Sequence, residues 1–274
     1  MTYCLRNVGI QGEMQRALKR AAKRFVPRIV DIAQRYQARL KVIRCDPNSW
    51  MASNMQHLFD DNADQEMLRH IEERLSNTER HGALPLWEGY DKIENYPKAA
   101  GPDAKRSSIE VGTNPAIGRF FVALVLRRKP SVVVEFGTAF GASGMYWLAG
   151  LDKNGFGHLY TFDPNATWAR IAHENLASVS DRFTGIVGTF EDNYSVIDQS
   201  KSCIDICLID AIHTTDFVLS QLSIVLQNSR SQTLIVLDDI KFSDDMWACW
   251  KRVSGQDRFS AAIEFGGVGV VEVR

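Results

Sequence analysis

The stretch Val132-Val133-Val134-Glu135-Phe136-Gly137-Thr138-Ala139-Phe140-Gly141-Ala142-Ser143 restricts what this chain can fold into more than any other part of it. Three β-branched residues in succession suit a strand covered on both faces, the environment of a parallel sheet. Gly137 and Gly141 let the backbone take φ > 0 and approach a ligand closely. A strand, a tight turn and a helix start therefore follow one another, and such a turn is where an open α/β sheet binds small molecules.

From that point the pattern is regular. Strands are expected at 131–135, 158–162, 183–187, 204–209 and 232–237, with helices at 142–150, 166–177, 215–227 and 244–253. Strands separated by helices imply right-handed crossovers and a parallel sheet. Phe259 to Glu264 and Val268 to Val273, joined by Gly266-Gly267, read instead as a closing hairpin. A helix before the first strand is framed by Thr113-Asn114 as its cap, Pro115 in its first turn and Pro130 at its end.

The N-terminal part differs. Met14, Ala17, Leu18, Ala21, Ala22 and Phe25 recur at helical spacing between basic residues, so 12–26 is expected to form an amphipathic basic helix. Pro27 kinks or restarts it, and the pattern resumes through Ile29, Ile32, Ala33, Tyr36 and Leu40. A further helix is expected at about Asp64 to Asn77. Residues 81–114 collect glycines and prolines and suit a linker or a loop covering substrate, with Trp87, Tyr90 and Tyr96 able to line a pocket.

Composition narrows the class. With 274 residues, 45% hydrophobic and 24% charged, the chain has the make-up of an ordinary globular protein. Arg127, Arg128 and Lys129 interrupt its longest apolar stretches, far short of the roughly 20 residues needed to cross a bilayer. No secretory leader is evident, and the five cysteines, Cys4, Cys45, Cys203, Cys207 and Cys249, include no C-x-x-C pair. A cytoplasmic location is expected, with Cys203 and Cys207 as small core hydrophobes. Residues 1–45 hold eleven Lys and Arg against Glu13 and Asp31, a local charge of +9 that leaves −10 for the rest. The basic arm lacks the interleaved aromatics of a base-reading surface, so nucleic acid is not an expected partner. A peripheral membrane contact is physically open to the basic helix but is not expected either.

The charge of the glycine turn selects among cofactors. A dinucleotide fingerprint needs G-x-G-x-x-G, whereas this chain has Gly137-x-x-x-Gly141-x-x-Gly144 with Glu135 just ahead, which repels phosphate. No P-loop pattern occurs. S-adenosylmethionine fits better, since its ammonium and sulfonium attract a strand-end carboxylate and its own carboxylate can take amide donors and the hydroxyl of Ser143. The E-x-G-x-x-x-G-x-S pattern resembles motif I of class I S-adenosylmethionine-dependent methyltransferases, and the chain from about Arg106 onward follows that family's order.

The resemblance implies a fold and a site. The fold is α/β, Rossmann-like and doubly wound, with a mostly parallel sheet and an antiparallel closing strand, plus an N-terminal helical region. The domains are an N-terminal helical region at 1–80, a linker or covering loop at 81–106 and the methyltransferase domain at 107–274. Glu135, Gly137, Thr138, Gly141 and Ser143 would hold the methionine end of the cofactor. Asp163, ending the second strand of the domain, would accept both ribose hydroxyls, with capping of the helix near Ala166 as the plainer role. Phe190 and Glu191 would meet the adenine, although a simple turn explains them equally well.

The chemistry is expected at two further strand ends. Asp210 ends one and Asp238-Asp239 the next, and three carboxylates converging there repel each other unless a hard divalent cation with oxygen ligands neutralises them. Magnesium is the default; manganese or calcium would satisfy the same ligands. This pattern resembles the cation-dependent O-methyltransferases, including the catechol, caffeoyl-coenzyme A and macrolide-sugar enzymes. The catechol branch has an asparagine where this chain has Asp239, as in the sugar and aminocoumarin branch, so catechol specificity is not implied. Asp210 and His213 would be catalytic, His213 as the general base that takes a hydroxyl proton. Trp250 reads as core.

The expected activity is therefore methylation of a hydroxyl on a small metabolite, a sugar or natural-product intermediate, by a homo-oligomer assembled through the N-terminal helices. Three rivals stand beside it. One is a metal-independent methyltransferase acting on nitrogen or carbon, one is a non-catalytic S-adenosylmethionine-binding module with a basic recruitment helix, and one is an iron-dependent hydroxylase of related fold.

Overall fold

Val132–Phe136 (β4) has all five residues buried, Glu135 among them, and it is an interior strand of an eight-stranded sheet. The computed structural model describes residues 40–58, 63–90, 101, 103–197 and 203–274. The basic helix expected at 12–26, its continuation beyond Pro27, Cys4 and Tyr96 lie outside the described residues.

The strands are β1 (Lys41–Cys45), β2 (Leu84–Pro85), β3 (Lys105–Arg106), β4, β5 (His158–Asp163), β6 (Phe183–Val187), β7 (Ile204–Ile209), β8 (Ser229–Leu237), β9 (Phe259–Phe265) and β10 (Val268–Val273). The helices are α1 (Trp50–Asn54), α2 (Gln65–Thr78), α3 (Pro115–Arg128), α4 (Ala142–Asn154), α5 (Ala166–Ala177), α6 (Phe190–Asn193), α7 (Thr215–Gln227) and α8 (Asp244–Ser254). The large sheet runs β1-β9-β10-β8-β7-β4-β5-β6, while β2 and β3 form a separate pair. Strands β4 to β8 are parallel to one another, and β10, β9 and β1 are added antiparallel beyond β8. This is the doubly wound sheet with a reversed closing strand that the alternation of elements implied.

Local chemistry sets the boundaries. The Asn114 side chain accepts from the Ala116 N–H at 2.8 Å and Pro115 occupies the first turn of α3, which ends at Lys129 in the left-handed region. Asp64 caps α2, Asn165 caps α5 and Ser243 caps α8. Successive strand residues point to opposite faces, so β4 serves two cores. Val132, Val134 and Phe136 pack with Val218 and Leu222 of α7 and with Met246 and Trp250 of α8. Glu135 points the other way, toward Ser143 and Trp147 of α4. On α4, Trp147 stacks on Phe121 of α3 at 4.2 Å.

Two expectations need correction. Lys41–Cys45, within the N-terminal region expected to be helical, is an edge strand paired with β9, and it belongs to the same compact unit, Leu40–Arg274, as the rest of the sheet. Cys207 is the fully buried core residue expected, but Cys203 lies just before β7 and is exposed. Trp250 is core as anticipated, its indole N–H donating to Glu264 at 3.0 Å. Among the described residues, no helix is long and apolar enough to cross a membrane.

The N-terminal edge is tied to the sheet by polar contacts rather than by apolar area alone. Glu272 of β10 is 1% exposed, and its two carboxylate oxygens accept from the Trp50 and Met51 N–H groups at 2.8 and 2.7 Å. Removing that carboxylate leaves two amides at the start of α1 without their acceptor. Glu272→Ala is expected to cost about 2–3 kcal/mol in urea unfolding, with a lower midpoint and an unchanged slope; an unaltered midpoint would refute the anchor.

Candidate active site

The turn after β4 is built by backbone geometry. Gly137 and Gly141 have φ of 92° and 82°, as their positions in the sequence anticipated. Gly137 and Thr138 donate to the Phe162 carbonyl at 2.9 and 3.2 Å, binding the turn to β5. A Cβ at Gly137 would stand 2.2 Å from the Asp210 carbonyl oxygen, so only a bare backbone fits between the β4 turn and the end of β7. Ala139, with φ of 45°, donates its N–H to Asp163 Oδ2 at 2.7 Å.

Glu135 and Asp163 are placed behind this turn. Glu135 is fully buried, and Thr161 donates to its Oε2 at 2.7 Å. Thr161 has thereby used its proton, so Thr138, 2.5 Å away, is the donor to the Thr161 hydroxyl. Ser143 and Trp147 face the same carboxyl, yet Oε1 completes no hydrogen bond. Burial pushes the Glu135 pKa up to about 7, outweighing these polar neighbours. Asp163 is 2% exposed and gives its other oxygen to the Asn165 N–H at 2.8 Å. Burial likewise raises its pKa to about 7 against the two amide bonds. The cap of α5 is Asn165, so Asp163 does not have the plainer capping role.

A cleft of about 510 Å³ opens outside the carboxyl ends of the strands, where the strand order reverses around β4. Gly137, Phe190 and Glu191 line it, with Phe162, Pro164, Gly188, Ile212 and Gln221 among their neighbours. Phe190 is mainly a core ring, stacked on Phe136 at 3.9 Å and edge-on to Phe162 at 5.3 Å. Residues 84–90 cross one side of the cleft. Asn165 holds the Pro85 carbonyl at 2.8 Å, while Trp87 and Tyr90 pack on Ile212 and Tyr90 lines the cleft. Gly89 sits so close to Pro164 that a Cβ would come within 1.9 Å of its carbonyl oxygen.

Beside the cleft, Asp210, His213, Asp238 and Asp239 come together as the sequence proposed. Asp210 follows β7, and Asp238 and Asp239 follow β8. His213 Nε2 lies 3.7 Å from Asp210 Oδ1 and 3.6 Å from Asp239 Oδ2. Asp210 and Asp238 lie close enough for each to influence the ionisation of the other. Burial, followed by the charges of Asp238 and Asp239, raises the Asp210 pKa well above the usual range, and burial raises Asp238 to about 6. Burial also lowers the His213 pKa, against the pull of Asp239, favouring the neutral imidazole. Among the described residues, no group of three or more His, Cys, Asp or Glu is disposed to hold a metal ion. Phe242, 67% exposed, lies with its ring 5.3 Å from that of His213. Gln221 and Phe242 had no motif to mark them as site residues.

A family model described as a methyltransferase domain matches residues 134–240. Among solved structures, the chain is similar to an O-methyltransferase from Bacillus cereus in complex with SAH, at 19% identity over 82% of this chain and 98% of that one, with a TM-score of 0.54. It is also similar to the O-methyltransferase TomG from Streptomyces achromogenes, involved in tomaymycin synthesis and in complex with SAM, at 16% identity over 82% and 96%, with a TM-score of 0.53. SAH-bound methyltransferase PaMTH1 from Podospora anserina matches at 14% identity over 83% and 97%, with a TM-score of 0.52. At these identities the likeness establishes the fold.

The buried Glu135 makes stability depend on pH. Between about pH 4.5, where an ordinary glutamate ionises, and about pH 7, the folded state holds a proton that the unfolded state has lost. Stability from this group is therefore fully present at the acid end and declines as pH rises through that window, by an amount on the order of 3 kcal/mol. Glu135→Gln removes the ionisation, so the variant is expected to gain on the wild type in urea unfolding between pH 5 and pH 8. A constant difference across that range would contradict the assignment.

Proposed function

We propose that this chain, a class I methyltransferase whose methyltransferase domain matches at residues 134–240, methylates a hydroxyl of a small metabolite, a sugar or natural-product intermediate, using S-adenosylmethionine and a divalent cation, magnesium by default. The observation that carries the reading is the position of His213, an imidazole set between two carboxylates at 3.7 and 3.6 Å beside the cleft. The donor fits residues that are present. Gly137 offers bare backbone to the cleft where a side chain has no room. SAM- and SAH-bound proteins among the structural neighbours support the same choice.

S-adenosylmethionine supplies a sulfonium-bound methyl group for in-line transfer to an oxygen nucleophile. Phe190 and Glu191 would wall the adenine end of the cleft. Asp163 would take the ribose hydroxyls, since each of its oxygens retains a second lone pair beyond its amide bond. His213 would remove the acceptor proton at Nε2, and the adjacent Asp210 and Asp239 would stabilise the imidazolium as it forms.

The carboxylates of Asp210, Asp238 and Asp239 are the donor set a hard cation uses, and a cation would offset the mutual repulsion that, with burial, raises the Asp210 pKa. Bound there, a divalent ion would lower the pKa of the acceptor hydroxyl. A second reading, metal-independent transfer with His213 alone, is favoured by one observation: the side chains as placed do not form a ligating group.

Formation of S-adenosylhomocysteine with a panel of hydroxylated metabolites, with and without magnesium, tests the proposal. His213→Ala is expected to lower kcat by about 10²- to 10⁴-fold with cofactor affinity unchanged. Chelation or Asp239→Ala should abolish turnover; activity that survives both establishes the metal-independent reading. Cofactor binding without turnover on any acceptor, and indifference to His213→Ala, would identify a binding module instead. Phe242→Ala is expected to raise the acceptor KM by roughly tenfold with little change in kcat, the signature of lost uniform binding; an unchanged KM would remove Phe242 from the acceptor site.

A further inference from the structure

Helix α7 contributes to the wall of the cleft, presenting Phe217, Ser220 and Gln221. Gln221 is 3% exposed, and its Oε1 is sealed from solvent without a hydrogen-bond partner. Burying an amide carbonyl without a donor is destabilising, and native interiors satisfy nearly all such groups. The helix does not need a glutamine here. Its neighbours along the buried stripe, Val218, Leu222 and Val225, are aliphatic, and a leucine would fill the position without leaving an acceptor unpaired. The missing donor is therefore to be sought in whatever enters the cleft.

Resting on the donor assigned above, we infer that Gln221 is a specificity residue for the adenine of the cofactor. A primary amide carries an acceptor and a donor side by side, and adenine presents the complementary pair, an exocyclic amine next to a ring nitrogen. Rotation about the last side-chain bond of Gln221 brings Oε1 to the amine and Nε2 to the ring nitrogen. The amine has two hydrogens, so Glu191 across the cleft and Gln221 take one each. No bond is made or broken in this step; a hydrogen bond missing from the ligand-free protein is completed. A site built in this way discriminates against a ligand that lacks the amine, because binding such a ligand leaves the buried oxygen unpaired.

Calorimetric titration of the full chain with S-adenosylhomocysteine and with its 6-deamino analogue tests the inference. The wild type is expected to bind S-adenosylhomocysteine at least tenfold more tightly. Gln221→Leu should reduce that preference by about tenfold while leaving the thermal stability of the ligand-free protein equal or higher, and Gln221→Met, which keeps the length of the side chain, should do the same. Equal affinity of the wild type for the two ligands overturns the inference and leaves the donor assignment standing, as it would if a bound water satisfied Oε1. A preference undiminished in both variants overturns it too. A wild type that binds neither ligand overturns the donor assignment and the inference with it.

Discussion

Three strand ends are held in one register by backbone hydrogen bonds that outlast the strands. Asp210 donates its N–H to the Phe136 carbonyl at 3.0 Å, and Asp238 donates to the Ile209 carbonyl at 3.1 Å. The ladders joining β4 to β7 and β7 to β8 therefore continue one residue into the loops, so the sheet rather than the loop places Asp210 and Asp238. Gly137 closes the contact from the other side, since nothing larger than hydrogen fits between it and the Asp210 carbonyl. Cofactor turn and candidate chemistry thus form one mechanical unit, and a shift of about 1 Å at this junction is enough to misalign reacting groups.

The carboxyl groups are graded by depth, and depth decides what each can do. Glu135 and Asp163 lie beneath the turn, where burial dominates and their pKa values rise to about 7. They organise the backbone: Glu135 through the Thr161–Thr138 hydroxyl chain, Asp163 through the amides of Ala139 and Asn165. Asp210 and Asp238 at the sheet edge are partly buried and crowded, which raises the pKa of each. Asp239, with its side chain 55% exposed, retains access to solvent. Negative charge is thereby concentrated on one lip of the cleft, where a proton, an imidazolium or a cation can balance it.

Much of this was legible because it is local. Val132 to Ser143 reads directly as strand, turn and helix, and Asn114, Ser243 and Asp64 cap the helices they precede. The strand ends carrying Asp210, Asp238 and Asp239 could be aligned because parallel crossovers put all of them at one edge. What escaped is what depends on distant partners. Nothing near Lys41–Cys45 marks it as a strand, since Lys41 pairs with Glu264 across most of the chain. The orientation of Glu135 also eluded the sequence: its charge suggested contact with the cofactor, whereas strand alternation turns it toward α4. Gln221 and Phe242 belong to no pattern, because one matters for a partner it lacks and the other for an aromatic surface it leaves exposed.

The two ends of the cleft differ in how much they can change. At the cofactor end, Phe136, Phe162 and Phe190 interlock, and the Trp87–Tyr90 pair is wedged on Ile212, so the wall is formed before any ligand arrives. Little ordering entropy has to be lost there on binding. The acceptor end is its opposite, a loop carrying Asp239 at φ of 49° and a largely exposed Phe242 anchored by a 2.8 Å bond from its N–H to the Asp239 carbonyl. On the proposed reaction, an acceptor that reaches His213 would cover the Phe242 ring and gain apolar burial close to the reacting hydroxyl. Substitutions in this loop can alter the acceptor without disturbing the sheet register, whereas substitutions at Gly137 cannot avoid disturbing it. On the proposed function, the sheet would fix how a methyl donor is held and leave the choice of acceptor to a few exposed side chains.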